Sequence, residues 1–320
     1  MMRKLWVLLL LLPALTFSQD FAKVGTVGAQ FLKIGVGARA AAMGGAFEGV
    51  ANDVTAIFWN PAGLVNIEKT SIFISHTTWL ADIGFESMAV AKNFEDIGIF
   101  GFHVAYLSSG DEERTTVTNP DGGIGNWSTE SWYAGLSYAI RLTNKFSFGA
   151  NVKFIRERLD DQSSNAWATD LGAQYQTGFK SLRLAMSIRN FGPEIQLSGD
   201  YFDLDNGSPL DEPTEYLPYH FPMTFKLGAA MELVDVENYK VTAAVDVEHP
   251  NDNVERICAG TEGVFMKMIA LRGGYTFRHD TQGPAFGAGF FWQDQMVIDY
   301  SFTDYGVLDW VHRFDFIFNL

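Results

Sequence analysis

WVHRFDFIFNL, residues 310–320, sets Trp310, Phe314, Phe316, Phe318 and Leu320 on one face of an extended chain. Arg313, Asp315 and Asn319 fall on the other, and His312 shares the aromatic face. Side chains alternate across a strand with a period of two, so the stretch reads as a strand with one greasy and one ionised face. FSFGANVKF (146–154) repeats the pattern: Phe146, Phe148, Ala150, Val152 and Phe154 oppose Ser147, Gly149, Asn151 and Lys153. TFKLGAAMEL (224–233) and MVIDYSFTDY (296–305) do the same. A helix would scatter these residues around its circumference.

Working outward, about fourteen such segments follow one another, near 71–80, 85–94, 97–108, 132–142, 146–159, 167–177, 182–192, 222–234, 239–249, 255–265, 269–277, 283–292, 296–306 and 310–320. Each has the roughly ten residues that a tilted membrane strand needs. The connections after even-numbered strands are short, whereas the long ones, 109–131 and 193–221, follow odd-numbered strands. Short periplasmic turns and long outer loops are the habit of an outer-membrane barrel, and a Greek-key sandwich gives no such parity. The expected fold is therefore an all-β transmembrane protein, an antiparallel up-and-down outer-membrane β-barrel of about fourteen strands. The Phe-rich face meets lipid. The face carrying Lys153, Arg183, Arg189, Lys226, Asp246, Glu248, Arg256, Arg272, Asp299, Arg313 and Asp315 meets the lumen, because a Lys or Arg against the bilayer midplane costs roughly 2–4 kcal/mol. A one-residue slip would expose the whole charged set, so the register is strongly fixed. Closing the sheet leaves no unpaired backbone edge in hydrocarbon. Trp79, Tyr106, Trp132, Trp292, Tyr305 and Trp310 lie near strand ends, where an aromatic girdle is expected.

Composition agrees with a membrane wall. Of 320 residues, 47% are hydrophobic and 19% charged, with 27 Phe, yet the mean hydropathy is only +0.01, so the apolar residues are dispersed. The net charge of −15 argues against nucleic acid as a partner. Residues 1–18, MMRKLWVLLLLLPALTFS, read as a signal peptide for export to the outer membrane of a Gram-negative-type bacterium. Residues 70–320 form the barrel in this reading, and residues 19–69 precede it. Cys258 is the one cysteine, so no internal disulfide forms.

The segment before the barrel contains GARAAAMGGAFEGVANDVTAIFWNPAGL, residues 37–64. Gly35, Gly37 and Ala40 fit a loose dinucleotide pattern, but such a pattern needs a βαβ unit around it, and the chain downstream alternates as strands only. The better reading is an N-terminal plug, or hatch, entering the barrel from the periplasmic side. Its small residues allow close backbone packing, and Asn60-Pro61 makes a turn before the first strand. Arg39, Glu48, Asn52, Asp53 and Asn60 are placed to pair with lumen charges. A short helical cap below the barrel is the alternative. This stretch resembles the start of PorV/PorQ-type outer-membrane proteins, within the FadL-like barrels. The Gly-Ala-Arg-Ala-x-x-Met-Gly-Gly-Ala run matches Gly37 to Ala46, and Trp-Asn-Pro-Ala-Gly-Leu matches Trp59 to Leu64. Gly35, Gly37, Arg39, Met43, Gly44, Gly45, Trp59, Asn60 and Pro61 are thereby marked as hatch-motif residues. The resemblance implies a barrel with an N-terminal hatch and a role in the type IX secretion system. That role is receiving folded cargo through its C-terminal signal domain and passing it to a cell-surface attachment complex. FadL-like proteins carry hydrophobic compounds inward, and that is the alternative function. Leu320 departs from the terminal Phe common in outer-membrane barrels.

No catalytic motif is visible, and no cofactor is implied: G-x-S-x-G, H-E-x-x-H and P-loop patterns are missing. The six His are scattered without metal-ligand spacing. DYFDLDNGSPLDEPTEY (200–216) is an acidic outer loop whose spacing fails the calcium-loop pattern. Aromatic residues interleave with its acids, so Tyr201, Phe202, Asp203, Asp205, Tyr216 and Tyr219 form the candidate partner surface. The polar lumen disfavours an apolar conduit. The expectation is a non-enzymatic binding protein whose partners are outer-membrane lipid and secretion-system subunits or cargo C-terminal domains.

Overall fold

In a computed structural model, the protein is described over residues 24–205, 208–293 and 295–320. The expected signal peptide, residues 1–18, lies outside the described residues. Fourteen strands close into one antiparallel barrel. In chain order they are β1 Thr70–Thr78, β2 Gly84–Asn93, β3 Ile99–Ser108, β4 Thr129–Arg141, β5 Phe146–Leu159, β6 Gln162–Gln176, β7 Arg183–Phe191, β8 Thr224–Val236, β9 Tyr239–Pro250, β10 Arg256–Phe265, β11 Ile269–Phe277, β12 Pro284–Trp292, β13 Met296–Asp304 and β14 Trp310–Asn319. Each pairs with its sequence neighbours, and β1 closes on β14 with Ile72 opposite Phe318 and Ile74 opposite Phe316. The Leu320 N–H donates to the Thr70 carbonyl at 2.8 Å, joining both ends of the barrel at one rim.

That rim also carries the tight turns 142–145, 237–238 and 266–268. It is the periplasmic one, by the length rule for outer-membrane barrels. The opposite rim carries the long connections 109–128 and 192–223. Each of these holds a small hairpin: Glu112–Glu113 with Asn126–Trp127, and Asp200–Asp205 with Ser208–Glu215. The acidic stretch read as a loop is therefore largely a hairpin. Strands β4 and β6 begin earlier than expected, at Thr129 and Gln162. Only Asp160 and Asp161 join β5 to β6, with Asp160 at φ +55°. Beyond the bilayer a strand has no lipid-facing side to satisfy, so its polar sequence, QSSNA at 162–166, looks like loop.

The two faces separate as the alternation demands. Phe314, Phe316 and Phe318 are 47%, 42% and 37% exposed, whereas Arg313, Asp315 and Ile317, which alternate with them, are almost fully buried. Tyr106, Trp132, Trp292 and Trp310 stand on the outward face near strand ends. Trp79 and Tyr305 do not belong to that girdle. They turn inward at the outer rim, ring against ring at 5.3 Å, and the Arg313 guanidinium lies 5.8 Å from the Trp79 ring centre. Both follow their strands directly, where the chain bends and period two no longer decides the side.

Candidate functional site

The bore is filled by the chain's own N-terminal segment. Residues 24–36 begin at the outer mouth, where the Gly28 N–H donates to the His220 carbonyl at 3.1 Å and Val27 bridges His220. The chain then descends through α1 (Ala38–Ala42) and α2 (Ala56–Trp59) and reaches β1 through a 3-10 turn, Pro61–Asn66. The segment joins the wall at the periplasmic rim, as a segment entering from below would, but its first described residues lie at the opposite end. It thus runs the length of the lumen. Ala38, Ala42, Met43, Phe47, Val54, Ile57 and Leu64 are fully buried within it.

Glycine on the wall lets this backbone lie directly on the sheet. A Cβ on Gly274 would stand 2.0 Å from the Met43 carbonyl carbon, and one on Gly149 would stand 2.3 Å from that of Pro61. Gly44 takes φ +63°, and a Cβ there would meet the Tyr275 nitrogen at 2.5 Å. The motif residues serve this packing. Gly37 (φ +93°) precedes α1, whose first N–H, from Ala38, donates to the Asp315 carboxylate. Gly35 leaves room for the Trp59 ring, and Gly45 lies beside the Cys258 sulfur. The Trp59 indole donates to the Val36 carbonyl at 2.8 Å. The Asn60 side chain accepts from the Ala62 N–H at 3.1 Å and caps the 3-10 turn, with Pro61 at its first position. The Asn60 amide nitrogen also donates to the Ala173 and Met186 carbonyls at 3.2 and 3.3 Å. Asn60 thus meets wall carbonyls rather than wall charges, which suits a neutral amide.

Polar wall side chains hold the remaining hatch backbone. Gln174 donates to the Glu48 and Ala51 carbonyls, both at 2.9 Å. Asn151 donates to the Ile57 carbonyl at 2.8 Å, and Arg183 to the Gly49 carbonyl at 2.9 Å. Asp246 accepts from the Phe47 and Glu48 N–H groups at 2.7 and 2.9 Å. Towards the periplasm, Arg39 is the hub. Its fork meets Glu262 at 2.7 and 2.8 Å and Asp53 at 2.6 Å, and it also donates to Asn52 at 2.7 Å. Glu262 in turn accepts from Arg272 at 2.7 Å, and Arg272 donates to Asp299 at 2.5 Å. Charge alternates along this chain from Asp53 to Asp299, and a guanidinium fork matched to a carboxylate is among the stronger ion pairs. Glu48 behaves differently: it accepts from the Ser187 hydroxyl at 3.0 Å and forms no ion pair among the described residues.

The hatch divides the lumen. Beneath it is a periplasmic vestibule of about 430 Å³, bounded by Arg39, Asp53, Arg183, Glu232, Lys240 and Glu262 among others. Above it is an outer vestibule of about 460 Å³ whose floor includes Trp59 and whose walls include Arg189, Lys226, Glu248, Arg256 and Arg313. The Arg189 and Lys226 cations stand 5.2 and 5.0 Å from the Trp59 ring centre. In β7, Arg189 and Asn190 both turn inward at a bulge where the β6–β7 register shifts, and Asn190 sits at φ +58°. A bulge re-aims side chains in this way.

The family model for "Type IX secretion system protein PorV" matches residues 17–250, well over half of the chain. The chain belongs to the PorV family. No curated protein sequence matches this PorV-family chain. Among solved structures it is similar to the Ralstonia pickettii toluene transporter TbuX, at 13% identity and TM-score 0.58, over 88% of this chain and 97% of TbuX. It is also similar to the Pseudomonas putida toluene transporter TodX, at 13% identity and TM-score 0.56, over 88% and 96%. A Pseudomonas aeruginosa FadL homologue matches at 13% identity and TM-score 0.54, over 88% and 98%. At such identities the likeness establishes the fold, a FadL-like outer-membrane barrel.

In this PorV-family barrel Tyr219 stands apart from the other described outer-loop aromatics. Tyr201 and Tyr216 pack together, with ring centres 5.0 Å apart. Tyr219 instead turns into the mouth, its ring over Gly28 and its hydroxyl near Glu157 at 3.3 Å and Ser164 at 3.4 Å. It fastens the start of the hatch segment rather than facing outward. The side chains of Phe202, Asp203 and Asp205 lie outside the described residues. Sequence reasoning missed the wall glycines as hatch contacts and the cationic outer vestibule. The available signal was Gly149, Gly172, Gly260 and Gly274 recurring at lumen positions of strands.

Proposed function

We propose that this PorV-family barrel serves type IX secretion as a binding and shuttle protein. It receives folded cargo through the cargo's C-terminal signal domain at its outer rim and hands it to the cell-surface attachment machinery. The observation that carries the reading is the filled bore. A hatch packed backbone-to-backbone on wall glycines and tied by the Arg39–Glu262–Arg272–Asp299 chain leaves the work to the outer vestibule and the loops above it. Secretion-system subunits and cargo C-terminal domains are the proposed partners, and no catalytic step is required of the barrel.

The competing reading is a channel for apolar small molecules, by analogy with the toluene transporters TbuX and TodX. A filled lumen lined by ionised side chains is a poor path for hydrocarbon, since burying apolar solute against charge gains nothing from the hydrophobic effect. A deletion strain separates the two. The secretion reading expects proteins carrying the C-terminal sorting domain to accumulate in the periplasm, with uptake of a hydrocarbon or fatty acid unchanged. Normal surface display of those proteins together with reduced uptake would establish the channel instead.

A further inference from the structure

Three guanidinium groups stand over the hatch with no carboxylate at ion-pair distance among the described residues. Arg189, Arg256 and Arg313 all border the outer vestibule, and none of them forms an ion pair among the described residues. The other cations there are neutralised: Lys226 by Glu248 at 2.8 Å, and Lys33 by Asp252. Arg313 is only 2% exposed, yet its partners are neutral: the Gly35 carbonyl at 3.3 Å, the Thr303 hydroxyl at 3.2 Å and the Trp79 ring. Arg189 likewise has the Phe58 carbonyl at 3.2 Å and the Trp59 ring. The Arg256 Nε is buried with no partner. Neutral acceptors and ring faces recover part of the cost of desolvating a cation but leave its charge in place. The field registers on His279 in the loop after β11. Burial, then Arg256, lowers its pKa to about 4, so the ring is neutral and accepts from the Thr281 and Gln282 N–H groups at 3.2 and 2.9 Å. The lining of this cavity thus sets Lys33, Arg189, Lys226, Arg256 and Arg313 against one carboxylate, Glu248, which stands opposite Arg256 in the β9–β10 pairing.

We propose that the outer vestibule binds a phosphoryl group presented from the cell exterior. Planar guanidinium forks match phosphate oxygens in pairs, and a phosphate monoester carries up to two negative charges, closer to the local excess than one carboxylate. The hatch closes the floor, so the ligand enters from above. Trp59 and Tyr305 offer ring faces to whatever carries the phosphate. Two sources share this chemistry: the phosphorylated headgroup of an outer-leaflet glycolipid and a soluble phosphate ester.

The test is calorimetric titration of the full-length barrel in detergent with inorganic phosphate, and with acetate as comparison. The proposal expects phosphate to bind at least about tenfold more tightly than acetate, and Arg256→Gln to weaken phosphate by about tenfold without changing the thermal midpoint. Arg313 is buried deeply enough that its replacement confounds folding with binding, so Arg189→Gln is the second variant, with the same weakening of phosphate expected. Phosphorylated glycolipid co-purifying with the native barrel but not with Arg256→Gln assigns the headgroup as source. Phosphate binding without such lipid assigns the soluble ester. Acetate binding as tightly as phosphate overturns the proposal, as does phosphate affinity unchanged in both variants.

Discussion

Beneath the hatch and above it, the same barrel handles arginine in opposite ways. Below, Arg39 and Arg272 share Glu262, and each has a second carboxylate, Asp53 or Asp299. Above, Arg189 and Arg313 have carbonyls, a hydroxyl and indole rings, and the Arg256 Nε is buried without a partner. Both regions lie inside the same closed sheet, so lipid does not account for the difference. A matched charge holds structure, and its removal is felt as lost stability. One held only by neutral groups keeps charge to spare, and its removal is felt by a ligand as well. The lower cluster is the latch of the hatch, and the upper one faces the exterior.

The largest expected effect is at the latch. Glu262→Gln leaves two buried guanidinium groups short of their shared partner, and breaking a buried pair costs about 3–5 kcal/mol. Limited proteolysis of the intact barrel should then cut within residues 38–64, and a hatch as resistant as the native one would break the comparison. Next comes the outer wall, the control that carries no such bookkeeping. Phe316→Arg puts a cation against lipid at a cost of about 2–4 kcal/mol, read as a lower urea midpoint for refolding into bilayers, whereas Ile317→Ala on the lumen side should leave the lipid-dependent part of that midpoint in place. Smaller still is the hatch turn: Asn60→Ala removes a cap worth about 1 kcal/mol, and hydrogen exchange at Ala62 should rise without release of the hatch. At the bottom of the scale, Arg256→Gln should change barrel stability by less than about 0.5 kcal/mol. A loss as large as that at Glu262 would make the upper cluster structural as well.

The strands were legible because two solvents read every residue of them. Lipid on one side and a wet lumen on the other forced Phe314, Phe316 and Phe318 apart from Arg313 and Asp315, and one register satisfied both. Where that pressure ends, so did the legibility. The polar starts of β4 and β6 project past the bilayer, and Trp79 and Tyr305 sit just after their strands, free to turn inward. Arg39 was recognisable as a hatch residue from the motif, but its partner Glu262 is more than two hundred residues away, and only closure of the barrel brings them together. Tyr219 looked like an interface aromatic and instead fastens Gly28, a contact between the outer loop and the beginning of the hatch that no local pattern encodes. Gly149 and Gly274 alternate with polar lumen residues as a bulge or a weak strand also would. Their purpose appears only with the Pro61 and Met43 backbones pressed against them.

The claim beneath all of this is that the hatch seals the bore and leaves two separate vestibules. Ion conductance of the purified native barrel in a planar lipid bilayer tests it most directly. The account predicts no steady open-pore current for the native chain. A sustained ohmic current, unaffected by cross-linking the hatch to the wall, would contradict it.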